Sequence, residues 1–245
     1  MTPFTIDDFY SGRIKVFQPQ KGFRAGTDSL LLAAALDNKL SGTALEIGSG
    51  AGGALLPAAF RLPDVKFTGI ELDPEMVGLA ERGIEANGLA DRVEVLPLNA
   101  NALSQAWQNR FDLVFSNPPF FEPGTIQTPG TGKENAYLES LDLRDWINAM
   151  LFALRPKGRL TLVHRAADLA RILAVLERQA GEIEVLPVHS YPGVEAKRVL
   201  VRARKGLRPG PLRLLEPKYL YSEKGGARTD WALKMQRDGA EIAWN

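Results

Sequence analysis

The stretch that decides the fold is Ala44-Leu45-Glu46-Ile47-Gly48-Ser49-Gly50-Ala51-Gly52-Gly53. Residues 44–47 are typical of a buried strand, and the glycines after them permit a tight turn into a helix. Gly48, Gly50 and Gly53 have the spacing of the dinucleotide fingerprint, in which the backbone lies close to a ligand. That spacing alone fits nicotinamide cofactors, flavins, S-adenosylmethionine or a plain strand–helix turn.

Predicted strands and helices alternate along most of the chain. A short helix is predicted over Asp28 to Leu36 after an irregular start, and another reaches Arg61. The other predicted helices are Pro74 to Asn87, with Asp73 as its N-cap and Gly88 as its left-handed C-cap, Asp142 to Leu154, and Ala166 to Ala180. The other predicted strands are Val65 to Glu71, Arg92 to Leu96, Phe111 to Phe115, Leu160 to Val163, Ile183 to Leu186, and Arg198 to Ala203.

This alternation predicts an α/β, doubly wound, Rossmann-like fold. We expect a mostly parallel seven-stranded sheet with an antiparallel edge strand, because the end of the chain is β-rich. Residues 1–245 are predicted to form one domain, in which 1–40 are an N-terminal segment and helix and 41–245 are the cofactor-binding core. In such sheets the ligand lies beyond the carboxyl ends of the strands.

Composition excludes several classes of protein. The 245 residues are 45% hydrophobic and 24% charged, as in ordinary globular proteins. The longest apolar run, Leu30 to Leu36, is far short of the roughly 20 residues that span a bilayer. The chain has no cysteine and only two histidines, which argues against disulfides, Fe–S clusters and histidine-rich metal sites. With no secretory signal visible, we expect a cytoplasmic protein without a metal or a membrane contact.

A run of basic residues lies near the C-terminus. Residues 196–215 contain seven lysines and arginines and no acid. They fit a solvated strand face balanced by acids elsewhere in space, or a surface that contacts the phosphates of a nucleic acid.

Three polar residues lie at or near the ends of predicted strands: Glu46, Glu71 and Asn99. Glu71 ends a predicted strand, where a carboxylate can accept hydrogen bonds from ribose hydroxyls. Glu46, inside the first strand, suits a cationic ligand better than a pyrophosphate. Asn99 and Ala100 follow the third strand, where they can meet an adenine ring. The alternative for Glu71 is an acid at a strand end in solvent, and for Glu46 a buried acid paired with a backbone donor. The alternative for Asn99 is an ordinary turn residue.

Asn117-Pro118-Pro119-Phe120 directly follows the fourth predicted strand. The two prolines stiffen the loop and remove two donors, so its carbonyl groups stay free to accept. An amide oxygen and an adjacent carbonyl can grip an NH₂ group, while Phe120 offers a flat face for a planar substrate. The motif therefore predicts a site that acts on an amino nitrogen.

These residues resemble the class I S-adenosylmethionine-dependent methyltransferases with an Asn-Pro-Pro-aromatic motif. More narrowly, the chain is similar to bacterial tRNA adenine-N6 methyltransferases that modify valine tRNA, over roughly residues 8–225. The segments that carry the narrower likeness include 23–28, 46–50, 70–73, 116–121 and 197–201. The resemblance implies an S-adenosylmethionine site formed by Thr27, Glu46, Gly48, Gly50, Glu71, Asn99, Ala100 and Asn117. It implies a catalytic set of Asn117, Pro118 and Phe120 and a tRNA substrate; the sequence itself assigns no oligomeric state.

The sequence departs from the family pattern at two positions. Residue 99 is Asn where many relatives have Asp, and residue 120 is Phe where adenine enzymes more often have Tyr. Guanine N2, a protein glutamine and small-molecule O- or N-acceptors therefore stay open as substrates. A nicotinamide-dependent oxidoreductase is allowed by the glycines but lacks an evident Tyr/Lys or His/Asp pair. Residues 122–139 are expected to form a flap over the site, and Thr27-Asp28 fits a helix cap equally well.

Overall fold

The computed structural model describes residues 3–22, 24–119 and 142–244. The strands are β1 (Phe4–Phe9), β2 (Ile14–Pro19), β3 (Gly42–Ile47), β4 (Val65–Glu71), β5 (Val93–Pro97), β6 (Phe111–Ser116), β7 (Leu154–Arg165), β8 (Ala180–His189), β9 (Ala196–Lys205), β10 (Arg213–Leu214) and β11 (Lys218–Tyr219). The helices are α1 (Thr27–Ala34), α2 (Leu55–Arg61), α3 (Pro74–Ala86), α4 (Leu143–Ala153), α5 (Leu169–Leu176) and α6 (Asp230–Asp238).

One large sheet of nine strands carries the site. Its order is β10-β8-β9-β7-β6-β3-β4-β5, and β11 pairs with β8 farther along that strand. Among the described strands of this sheet, only β9 runs antiparallel to its neighbours. The predicted doubly wound, mostly parallel α/β architecture is confirmed.

The predicted edge position of the antiparallel strand is wrong. β9 lies inside the sheet, paired with β7 on one side and β8 on the other. The reason is the length of the connections. α5 connects β7 to β8, and these two strands are separated in the sheet by the width of one strand. The short link 190–195 then turns β9 back into that position, because antiparallel neighbours need only a short loop.

Two hydrophobic clusters cover the two faces of the sheet. One joins β1–β2, α1, α2 and the C-terminal residues, with Tyr10, Leu32, Phe67 and Trp244 among its members. The other lies under α4 and α5. The Trp244 indole nitrogen donates to the Ala35 carbonyl at 3.0 Å, which fixes the C-terminus beside α1.

The irregular start predicted for the chain is wrong. Residues 4–19 form an antiparallel hairpin that packs against α3 through its buried Ile14 and Val16. The strands are short and β1 carries Asp7 and Asp8, so the alternation of apolar residues that marks a strand is weak there. The C-terminal helix α6 was likewise not predicted.

Local signals gave accurate boundaries around α3. Asp73 caps it by accepting from the Glu75 nitrogen at 2.8 Å, and Gly88 is left-handed with φ +64°. The predicted helix 142–154 is one residue too long at each end: Asp142 is its N-cap, and Leu154 already pairs with Phe111 as the start of β7. The helix predicted to Ala180 is also too long, since β8 begins there.

Candidate active site

The glycine loop turns sharply between β3 and α2. The backbone nitrogens of Gly48 and Ser49 both donate to the Ile70 carbonyl, at 2.9 and 3.1 Å. Gly48 has φ +72°, and a Cβ there would lie 2.8 Å from the Trp146 ring. A side chain at this position is therefore excluded, because the positive φ disfavours it and the Trp146 ring occupies the space it would need.

Close packing brings the segment before α1 against this loop. A Cβ added to Gly53 would lie only 2.1 Å from the Ala25 Cβ. Gly53, the third glycine of the fingerprint, is thus needed because the segment before α1 packs directly against it. This packing places Thr27 near the loop.

Glu71 joins the glycine loop to the end of β4. One carboxylate oxygen accepts from the Gly50 nitrogen at 2.8 Å, and the other accepts from the Asp73 nitrogen at 2.9 Å. Each oxygen keeps a second lone pair for a ligand hydroxyl. The solvated strand-end alternative is wrong for this residue, because both oxygens are engaged and the side chain is half-buried.

Glu46 is a buried acid near the carboxyl end of β3. It is 2% exposed, and its Oε2 atom has no hydrogen-bond partner within the described residues. Burial raises its pKa well above the ordinary value; the neighbouring Glu71 charge adds to the rise, and a hydrogen bond from the Leu55 backbone opposes it. Such a carboxyl suits a site that receives a cationic ligand.

Asn99 and Ala100 lie just past β5. The Leu98 nitrogen donates to the Glu71 carbonyl at 2.9 Å, which extends the β4–β5 pairing to this point. The Asn99 side chain accepts from the Asn101 nitrogen at 2.9 Å and caps the short 3₁₀ helix Ala100–Ala102. Ala100 also lines a groove of about 520 Å³ between that turn and α4.

Asn117 is positioned by the residue before it. Ser116 is fully buried; its hydroxyl donates to the Ile47 carbonyl at 2.7 Å and accepts from the Trp146 indole nitrogen at 2.8 Å. These bonds tie the end of β6 to the end of β3, so Asn117 lies directly beside the glycine loop. Pro118, which follows, is buried.

A cavity of about 270 Å³ opens at Asn117. Thr27, Asp28, Arg24 and Arg198 also line it. Two residues predicted to belong to one site, Thr27 and Asn117, therefore share a cavity. The capping alternative for Thr27-Asp28 is wrong, because the N-cap of α1 is Gly26 and no side chain caps the helix.

Phe120 and the proposed flap 122–139 lie outside the described residues. Sequence reasoning also missed Ser116, Trp146 and Arg24. The contacts of these three residues join segments that are distant in the sequence, and no local sequence pattern indicates them.

The basic run 196–215 does not form one surface. Because β9 is antiparallel, it begins at the end of the sheet that carries the site, where Arg198 pairs with Arg165 at the end of β7. It finishes at the opposite end with Arg204 and Lys205. In the middle of β8 and β9, Arg202 and Arg213 both pair with the buried Glu184, and farther along Arg204 lies 3.6 Å from Glu182. For Arg202, Arg204 and Arg213 the run is therefore a strand face balanced by acids.

The described residues contain neither a cluster of metal ligands nor a helix of membrane-spanning character. Within ranges 3–22, 24–119 and 142–244 no group of three or more His, Cys, Asp or Glu is arranged to hold a metal ion. In the same part of the chain, no helix has both the length and the apolar character needed to cross a bilayer.

Comparison with known proteins gives consistent results. The profile of the methyltransferase small domain matches residues 20–189. A tRNA1(Val) (adenine(37)-N6)-methyltransferase from Porphyromonas gingivalis is 32% identical over 79% of this chain and 79% of its own. The enzyme of that name from Shewanella baltica is 29% identical over 73% and 76%. The crystal structure of a predicted O-methyltransferase from Agrobacterium tumefaciens superposes with a TM-score of 0.72, at 28% identity over 89% and 99% of the two chains.

Proposed function

The chain belongs to the methyltransferase small domain family, and we propose that it methylates the N6 amino group of adenine in a tRNA. It is an S-adenosylmethionine-dependent methyltransferase. The names of the Porphyromonas and Shewanella relatives support valine tRNA as the substrate. The observation that carries the proposal is Asn117, held beside the glycine loop by Ser116 and facing a cavity.

The residues around the loop fit S-adenosylmethionine. Glu46 supplies a buried carboxyl group, and its Oε2 atom has no hydrogen-bond partner among the described residues. Such a group suits the positive charges of this cofactor. When bound, the cofactor supplies a methyl group on a cationic sulfur. We assign the methionine part to Thr27, Glu46, Gly48, Gly50 and Asn117, the ribose to Glu71, and the adenine ring to Asn99 and Ala100.

The Asn-Pro-Pro loop supplies what the acceptor needs. The Asn117 side-chain oxygen and the Pro118 carbonyl accept the two hydrogens of the exocyclic amine, which turns the nitrogen lone pair away from the ring. Alignment for in-line displacement is then the main contribution of the protein. The nitrogen becomes acidic once methylated, so its proton can pass to water without a strong base. Phe120, outside the described residues, is proposed to stack on the base.

We also propose that residues 1–245 act as one methyltransferase domain in the cytoplasm. The hydrophobic cluster that includes Tyr10 near the start and Trp244 near the end supports this, because both ends of the chain pack against the same face of the sheet. A tRNA substrate supports the location.

The test is methyl transfer from radiolabelled S-adenosylmethionine to an unmodified valine tRNA transcript. We expect label in N6-methyladenosine after nucleoside digestion. Asn117→Ala should lower transfer at least 100-fold, because a 1 Å misplacement of a reacting group already costs about that much. Asn38→Ala is the matched control: this asparagine lies between α1 and β3, away from the carboxyl ends of the strands, and accepts from Arg61 at 2.6 Å. Its transfer rate should equal that of the wild type.

The same assay separates the alternatives. Label in protein extract but not in RNA would replace the proposal with glutamine methylation. Label in neither, with cofactor binding shown by calorimetry, would favour a small-molecule acceptor.

A further inference from the structure

Two arginines from distant parts of the chain line the cavity that contains Asn117. Arg24 precedes α1, and Arg198 lies near the start of β9. The volume, about 270 Å³, is close to the lower end of the range for small-molecule sites, about 300 Å³. The cavity therefore places two permanent positive charges beside the residue proposed to hold the target amine.

The N-terminal hairpin fixes Arg24. Its guanidinium donates to the Pro19 carbonyl at 2.7 Å, to the Thr5 hydroxyl at 2.9 Å and to Asp7 at 2.6 Å. Gln18, 1% exposed, braces the same segment by accepting from the Ala25 nitrogen and donating to Asp7, each at 2.6 Å. The hairpin thus holds this arginine at the mouth of the site.

Arg198 reaches the cavity because β9 is antiparallel. Its Nε atom donates to Asp28 at 2.7 Å, from across the sheet to the first turn of α1. Arg202 and Arg204, farther along β9, pair instead with Glu184 and Glu182. Arg198 is therefore the member of the run that β9 carries to the cavity.

The two ion pairs leave the arginines able to bind an anion. The side chains of Arg24 and Arg198 are 35% and 28% exposed, and those of Asp7 and Asp28 are 31% and 24% exposed. Both guanidinium groups keep contact with water, so an anion can approach them and share their donors. The planar fork of arginine matches the oxygens of a phosphate group.

We propose that Arg24 and Arg198 bind backbone phosphates of the RNA next to the target adenosine and so place its base at Asn117. The inference rests on the proposed function and names positioning residues for its substrate. Phosphate contacts of this kind fix register without reading sequence. The hairpin then has a functional role, because it orients one of the two arginines.

The experiment measures the affinity for unmodified valine tRNA at several salt concentrations, together with the affinity for S-adenosylmethionine. Arg24→Gln and Arg198→Gln should each weaken tRNA binding roughly tenfold and reduce the slope of log affinity against log salt by about 1. Cofactor affinity should stay within about twofold. Arg204→Gln is the matched control, because it removes a similar ion pair from the opposite end of the same strand. Arg198→Lys keeps the charge and should retain the salt slope.

Each outcome decides the matter. If tRNA affinity and salt slope match those of Arg204→Gln, the proposal is wrong although RNA methylation stands. If cofactor affinity falls as much as tRNA affinity, the arginines bind the cofactor carboxylate and the proposal is also wrong. If the wild type neither binds nor methylates RNA, the proposed function itself fails and this inference falls with it. Loss of both affinities in Arg198→Lys as well would indicate a purely structural role, which overturns the proposal.

Discussion

Replacing Gly53 with alanine tests whether the site depends on close packing between the glycine loop and the segment before α1. Gly53 has no positive φ, so alanine brings no backbone strain, and its effect is steric alone. The new Cβ would lie 2.1 Å from the Ala25 Cβ. The two atoms must separate by about 1.3 Å to reach the 3.4 Å at which ordinary contact begins.

That displacement has two consequences. Ala25 is held by a 2.6 Å hydrogen bond from its nitrogen to Gln18, which is buried, so movement weakens this bond. Overpacking of this kind lowers the free energy of unfolding by about 1–3 kcal/mol. It also moves Thr27 relative to Asn117, and a shift of about 1 Å at a reacting site lowers the rate about 100-fold.

The measurements are the free energy of unfolding in urea and the single-turnover rate of methyl transfer to tRNA. Gly78→Ala is the control, because a Cβ at Gly78 meets nothing within 4 Å and the residue lies inside α3. This control should raise the free energy of unfolding by up to about 1 kcal/mol and leave the rate unchanged. Equal stability and rate for Gly53→Ala and the wild type would refute the packing argument.

Three further substitutions test other parts of the molecule. Burial raises the pKa of Glu46 above the ordinary 4.5, so the folded protein binds this proton more tightly than the unfolded chain does. As the pH rises from about 4.5, the wild type should lose stability relative to Glu46→Gln, by at most about 1.4 kcal/mol per pH unit. Urea unfolding at several pH values measures this, and parallel pH profiles would contradict it. Ser116→Ala removes the partner of Trp146 and should lower the free energy of unfolding by about 1–3 kcal/mol. It should also reduce kcat more than cofactor affinity; an unchanged unfolding midpoint and kcat would count against the role given to Ser116. The Tyr10 hydroxyl is buried without a partner in the described part of the chain, and burial raises its pKa to about 12. Tyr10→Phe should therefore be neutral or stabilising by up to about 1 kcal/mol in urea unfolding, and a clear loss of stability would show that the hydroxyl has a partner.

Local patterns predicted the elements whose causes are local. The strand Val65–Glu71 was predicted with its observed bounds, and the cap of α3 by Asp73 follows from side-chain chemistry two residues away. The hairpin Phe4–Pro19 was missed because its stability comes from packing against α3, which lies far along the chain. The inner position of β9 was missed because the order of strands depends on how connections cross the sheet.

The sequence by itself determined the chemistry available at the site. Gly48, Glu71 and Asn117 each follow or end a strand, and parallel strands bring such ends to one edge. Only the tertiary structure decided how they are held: Glu71 by the Gly50 nitrogen, and Asn117 by the bonds of its neighbour Ser116. It also decided that Arg198 lies at the cavity, whereas Arg202, Arg204 and Arg213 of the same basic run pair with Glu184 and Glu182. The physical reason is that hydrogen bonds, close contacts and charge balance act between residues distant in sequence, whereas turns and caps act between neighbours.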